Sequence, residues 1–119
     1  MTTNVDRTLA ALADPTRRGV VDLLRKKPRR AGELAESFAM SAPAMSRHLR
    51  VLRTSGLVEE DHDRDAGDDA RVRVYKLKRE PFDALEKWIA EVQSFWAGEL
   101  ASFKDYAERT RGAKPEKKR

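Results

Sequence analysis

Residues 31–56 read AGELAESFAMSAPAMSRHLRVLRTSG, and the order of signals within them decides the fold. Leu34 and Phe38 lie one helical turn apart, which predicts a short helix over about residues 31–38. Ser41 and Pro43 open another helix, over about residues 42–55, because a serine caps and an early proline is preset for the first turn. Its apolar residues Met45, Leu49 and Leu52 recur at i, i+4 and i+7, and Gly56 follows where a helix stops. Two helices joined by so short a turn make a helix-turn-helix, whose second helix lies in the DNA major groove and reads base edges from its N-terminal half.

If that stripe faces inward, the helical step of about 100° turns Pro43, Ser46, Arg47 and Arg50 outward. Arginine donates in fork geometry to guanine O6 and N7, which discriminates by about 1–3 kcal/mol. Ser46 can donate to a base or a phosphate, and the small Pro43 and Ala44 let the helix start approach the bases. Two outward arginines alone fit an ordinary solvated helix as well. Their setting shifts the balance. The net charge of the chain is +5, but residues 15–55 hold ten Lys/Arg against three acids, a net of +7, and the flanks are each slightly acidic. The positive field therefore belongs to this segment, as it does in nucleic-acid-binding domains.

Upstream, Val5, Leu9 and Leu12 mark one stripe of a first helix. Asp14-Pro15 ends it, since the residue before a proline avoids the helical region. Asp14 then caps a second helix with Pro15 at its first position. Val20, Val21, Leu23 and Leu24 are its apolar face. Downstream the period changes to two: Leu57-Val58 leads into a polar stretch, and Val72, Val74 and Leu77 alternate with Arg71, Arg73 and Lys76. This predicts a β-hairpin, or wing, over about residues 57–77. Pro81 opens a last helix over about residues 81–110, with Leu85, Ile89, Val92, Trp96, Leu100, Phe103 and Ala107 on one stripe and Trp88, Phe95 and Tyr106 widening it. A domain this small is not expected to cover so long a stripe, and a second copy is the simplest cover. Residues 111–119 are basic and lack large apolar side chains, which predicts a disordered tail. The whole is one mainly α domain, residues 1–110, of winged helix-turn-helix class.

Composition narrows the function. The chain has 119 residues, no cysteine and two histidines, His48 and His62. Disulfides, thiolate metal sites and cysteine nucleophiles are thereby excluded. No glycine-rich phosphate loop or nucleophile motif is present, so an enzyme is the weakest reading. No apolar run approaches a membrane span and no signal peptide opens the chain, which points to a soluble, cytoplasmic protein without a membrane partner.

Leu9-Ala10-Ala11-Leu12-Ala13-Asp14-Pro15-Thr16-Arg17, running into Val20-Val21-Asp22-Leu23-Leu24, resembles the start of the ArsR-type repressors. Glu33-Leu34-Ala35, Met40-Ser41, Ser46-Arg47-His48-Leu49-Arg50-Val51-Leu52 and Gly56-Leu57-Val58 resemble their recognition region. The resemblance spans about residues 8–77. It implies a dimeric prokaryotic repressor that binds double-stranded DNA near its own promoter. It implies DNA contacts at Pro43, Ala44, Ser46 and Arg47, to which the helical wheel adds Arg50, with Arg71 and Arg73 on the wing. It implies a dimer interface of the first and last helices, here Val5, Leu9, Leu12, Leu85, Ile89, Val92, Trp96, Leu100 and Phe103. For Arg17 a structural role and a phosphate contact stay equally open, while His48, at the flank of the buried stripe, reads as a packed residue.

Two departures stand out. Relatives that sense metals carry cysteine pairs before the recognition helix or His/Asp/Glu sets on the last helix. Ala31-Gly32-Glu33-Leu34-Ala35-Glu36 has no thiol, and the last helix has no histidine, so no metal or other cofactor is expected. The second departure is the acidic hairpin: Glu59, Glu60, Asp61, Asp63, Asp65, Asp68 and Asp69. Carboxylates repel phosphates, so this arm lies on DNA only if neutralised, and cross-strand pairing with Arg71 and Arg73 is one means. A solvated wing that never touches DNA is the even alternative. A Ca²⁺ loop at Asp61, Asp63 and Asp65 fits poorly, since Gly67 comes one place late and Val72 stands where a glutamate is needed. The aromatic last helix leaves a second function open, a protein-interaction module that binds a different protein.

Overall fold

The computed structural model describes residues 3–69 and 71–113. Along them run α1 (Asn4–Ala11), α2 (Pro15–Leu24), α3 (Ala31–Ser37), α4 (Ala42–Thr54), β1 (Val58–His62), a 3-10 turn (Arg64–Ala66), β2 (Arg73–Leu77) and α5 (Glu80–Ala113). This is the winged helix-turn-helix the sequence predicts. Residues up to Leu85 form one compact unit, and those from Glu86 a second.

Short polar side chains start the helices. Thr3 accepts the Asp6 N–H and Asp14 accepts the Arg17 N–H, ahead of Pro15. Ser41 accepts the Ala44 N–H at the start of α4. Each bond satisfies one of the amide donors that a helix start leaves open. The Glu33 carboxylate does the same in reverse, taking the Arg30 N–H ahead of α3.

Helices α3 and α4 end alike. Leu57 N–H donates to the Leu52 carbonyl across Gly56, and Met40 N–H donates to the Ala35 carbonyl across Ala39. Both bridging residues have positive φ, 81° at Gly56 and 50° at Ala39. Glycine adopts that conformation freely, whereas alanine brings Cβ close to a carbonyl at a cost of roughly 1–2 kcal/mol. Ala39→Gly is therefore expected to raise the unfolding free energy by about 1 kcal/mol in a urea melt, once the greater freedom of unfolded glycine is deducted. No gain would mean that this turn is not strained.

Val20, Leu34, Met45, Leu49, Leu52 and Leu57 are the most deeply buried large apolar side chains. One comes from α2, one from α3, three from α4 and one from the start of the wing. The core thus sits directly behind α4 and holds it from one side. Phe38 closes the α3 end against Gly19, where a side chain would begin 2.6 Å from the phenyl ring.

The two strands pair antiparallel, Val58 opposite Leu77 and His62 opposite Arg73. Arg29 adds a rung on the other side of β2. Its N–H donates to the Tyr75 carbonyl at 3.1 Å, and its carbonyl accepts the Tyr75 N–H at 2.7 Å. One residue between Pro28 and α3 carries no alternation, so the sequence offered no signal for this rung.

Helix α5 has 34 residues and is about 51 Å long at 1.5 Å per residue. It continues three residues past the predicted end at 110; the rest of the predicted tail, residues 114–119, lies outside the described residues. Its apolar side chains recur every eleven residues: Leu85, Trp96 and Ala107; Ile89 and Leu100; Val92 and Phe103; Phe95 and Tyr106. Eleven residues make three turns of 3.67, close to the natural helical period, so the stripe runs nearly straight along the helix. Among the stripe positions from Leu85 to Ala107, Glu99 is the one acidic residue, standing eleven residues after Trp88.

Candidate nucleic-acid interface

Met45, Leu49 and Leu52 are all but inaccessible to solvent. That pins the rotation of α4 and leaves Pro43, Ser46, Arg47 and Arg50 exposed, with Ala44 half-buried. The outward face inferred from the helical step is the face the fold presents.

The sequence reading missed the residue that continues this face by one turn, Arg53. Ser46, Arg47, Arg50, Arg53 and Tyr75 line a groove between α4 and the wing. Arg53 Nη1 lies 3.0 Å from Glu60 Oε1 on β1, and the same oxygen accepts the Tyr75 hydroxyl at 3.0 Å. Burial, and then the Glu60 carboxylate, raise the Tyr75 hydroxyl above its ordinary pKa. The spacing of Arg47, Arg50 and Arg53 was the available signal; the partner across the strand was not readable.

Arg17 has two of its guanidinium nitrogens engaged inside the fold. Its Nε donates to the Ala11 carbonyl at 2.7 Å, closing the end of α1, and its Nη1 lies 3.4 Å from His48 Nδ1. His48 is half-buried with Nδ1 3.9 Å from Asp14 Oδ2. The capping N–H of Arg17, helped by the charges of Arg17 and His48, holds Asp14 below the usual carboxylate range against the opposing effect of burial. Of the two roles open for Arg17, the geometry supports the structural one: it ties α1, α2 and α4 together.

Five of the seven wing acids, Glu59, Glu60, Asp61, Asp63 and Asp69, lie in ion pairs, mostly with cations other than those the sequence suggested, while Asp65 and Asp68 have none among the described residues. Arg71 lies in the loop before β2 and pairs locally with Asp69 at 3.3 Å. Arg73 sits at the strand start opposite His62. The cross-strand partner is Lys76, 3.0 Å from Asp61 and 3.8 Å from Glu59. Asp63, nearly buried, takes Arg30 Nε at 2.6 Å. Arg30 and Lys76 thereby hold Asp63 and Asp61 below the ordinary carboxylate pKa. Asp61, Asp63 and Asp65 do not converge, and among the described residues no cluster of three such side chains is placed to hold a metal ion.

A carboxyl whose folded pKa is depressed stabilises the fold above its unfolded pKa, near 4, and loses that contribution as pH falls through the folded value. The wing anchor at Asp63 is therefore expected to weaken below about pH 4. Asp63→Asn should lower stability at pH 7 and flatten the fall in urea midpoint below about pH 4 relative to the unsubstituted chain. An unchanged pH profile would show that the pair contributes nothing.

The residues predicted for a dimer interface divide by element. On α1 the buried face is Thr8 and Ala11, not the Val5–Leu9–Leu12 stripe; Leu9 is exposed, Val5 is half-buried and Leu12 leans on the core. On α5, Leu85 is half-buried, and Ile89, Val92, Trp96, Leu100 and Phe103 are exposed. Among the described residues no helix is long and apolar enough to cross a membrane.

Residues 14–60 match the arsR family of bacterial regulatory proteins. The chain is 41% identical over 98 residues to the HTH-type transcriptional regulator Rv2034 of Mycobacterium tuberculosis, covering 82% of this chain and 83% of that one. Among solved structures, the ArsR family transcriptional regulator RHA00566 superposes with a TM-score of 0.69 at 36% identity, covering 80% of this chain and 98% of the other. The homodimeric winged helix-turn-helix DNA-binding domain Mb0332 of Mycobacterium bovis, described as a possible ArsR-family regulator, gives a TM-score of 0.56 at 25% identity over 82% of each chain.

Proposed function

The chain belongs to the ArsR family of bacterial regulatory proteins, and from that premise we propose that this DNA-binding transcriptional regulator is a homodimeric repressor of a pseudo-palindromic operator. The observation that carries the reading is the exposed Ser46–Arg47–Arg50 face set over a buried Met45–Leu49–Leu52 stripe. A helix held so firmly from behind presents its arginines in a fixed direction, as reading base edges requires. Pro43 and Ala44 admit the helix start to the major groove, and Arg71 and Arg73 carry the wing to the flanking backbone.

The apolar faces left open support a two-fold symmetric dimer. Leu9 on α1 and the stripe from Ile89 to Phe103 on α5 are too apolar to stand in water singly, and a second copy offers the same stripe in return. The homodimeric state of the Mycobacterium bovis domain supports this reading. Two recognition helices related by such an axis enter successive major grooves about 34–36 Å apart. A dimer seated over a promoter represses by excluding RNA polymerase, in the cytoplasm where the DNA lies.

The test is fluorescence anisotropy with labelled DNA from upstream of the gene itself, at several salt concentrations, with random DNA as competitor. Saturable binding that falls steeply with salt and outcompetes random DNA is expected. Equal affinity for operator and random DNA would leave only a basic surface. One observation favours a second reading, a module binding a different protein: Leu100 and Phe103 are 67% and 69% exposed. A chain that sediments as a monomer at micromolar concentration would favour that alternative.

A further inference from the structure

Arg53 lies outside every DNA contact assigned above, yet among the arginines on the outward face of α4 it is the one whose guanidinium the fold holds. We propose that it is the DNA-backbone contact at the junction of recognition helix and wing, and that Glu60 and Tyr75 are positioning residues that aim it. The proposal rests on the operator-binding reading and adds to it the chemistry of one site: a single phosphate, taken without regard to sequence.

The geometry builds outward from the fold. Tyr75 is fixed by its paired backbone bonds to Arg29 at 3.1 and 2.7 Å. Its hydroxyl donates to Glu60 Oε1, which also takes Arg53 Nη1. One carboxylate oxygen thus links strand β1, strand β2 and helix α4, and backbone bonds tie the connector before α3 to β2. A guanidinium has five N–H donors in a planar fork, and only one nitrogen here is engaged. The Arg53 side chain is 53% exposed, so its remaining donors face solvent at the groove shared with Ser46, Arg47 and Arg50.

Nitrogens that face the groove suit a phosphate oxygen, which guanidinium binds strongly. Base reading suits Arg53 less well, because it lies at the C-terminal end of α4, and helices of this motif read bases from their N-terminal half. An exposed ion pair is weak, so Glu60 orients the guanidinium without withholding it from a stronger anion. Pre-orientation matters because a free arginine loses rotamer freedom on contact, and that loss reduces affinity. The wing then contributes to binding through its hold on Arg53, whether or not its own tip touches DNA.

The experiment measures affinity for operator and for random DNA across a salt series, in the unsubstituted protein and in Arg53→Ala, Arg53→Lys and Tyr75→Phe. Thermal melts and sedimentation serve as controls for folding and dimer formation. Arg53→Ala is expected to weaken binding to both DNAs by the same factor. It should also reduce the slope of log affinity against log salt by about 1 per protomer, about 2 for a dimer. Arg53→Lys should restore the slope, which a purely structural role would not require. Tyr75→Phe, which removes no charge, should lower affinity roughly 2–10-fold with the slope unchanged. An unaltered slope in Arg53→Ala overturns the phosphate contact. A loss confined to operator overturns it in favour of base reading, and unchanged affinity in Tyr75→Phe overturns the positioning role. If the unsubstituted protein shows no operator preference, the repressor reading has failed, and that outcome is distinct because it appears before any variant is compared.

Discussion

Arg47→Ala/Arg50→Ala is expected to lower operator affinity by at least about a hundredfold while leaving the protein folded. Each arginine that forks to a guanine is worth about 1–3 kcal/mol of discrimination, and a dimer presents four. The contributions do not add fully, so a total near 3 kcal/mol, about two decades, is a conservative floor. Both side chains are exposed, and neither guanidinium takes part in a hydrogen bond or ion pair among the described residues. Alanine is at least as good a helix former as arginine, so α4 should not weaken. Affinity for random DNA should fall much less, because charge elsewhere on the basic segment persists. Parallel titrations with operator and random duplexes separate the two effects. A uniform loss on both DNAs would make these arginines phosphate contacts and send the search for base readers elsewhere.

Trp96→Asp/Phe103→Asp is expected to raise the dimer dissociation constant by at least about a thousandfold. Large aromatic side chains at the centre of an interface commonly contribute 2 kcal/mol or more each, and a buried unpaired carboxylate adds a further penalty. In the protomer, Trp96 and Phe103 are 59% and 69% exposed. Helicity by circular dichroism should therefore stay close to that of the unsubstituted chain while sedimentation shifts to the monomer. Operator affinity should fall with it, because each half-site must then be filled alone. A variant that remains a dimer would remove α5 from the interface and leave its aromatic face for a different partner.

Much of this was legible in the sequence, for identifiable reasons. Helix α4 has an unambiguous period, a serine cap and a glycine stop, and these signals are local. The outward placement of Arg47 and Arg50 needed only the stripe and the helical step. What could not be read was every relation that depends on the partner across space. Arg30 meets Asp63 and Arg53 meets Glu60 through pairings separated by 33 and 7 residues. Lys76 displaced Arg73 as the cross-strand cation because strand register decides which side chains lie opposite. On α1 the stripe of larger side chains was visible, but the small Thr8 and Ala11 are the buried ones, and small side chains carry no apolar period to announce it. Ala39 carries the turn between α3 and α4 without the glycine that would have announced it.

The eleven-residue recurrence on α5 has a consequence for fidelity of assembly. A ladder of repeating apolar rungs can be climbed in steps: two such helices displaced by one repeat still set ring against aliphatic chain along most of their length. Such slippage would alter the separation of whatever each helix carries, and a reader of two half-sites tolerates little change in that separation. Glu99 marks the ladder. Displacement by one repeat exchanges the place of Trp88 for that of a carboxylate, which resists leaving water. On the proposed dimer, one acidic side chain in an otherwise oily stripe would then act as an index mark, distinguishing the correct alignment from its near copies.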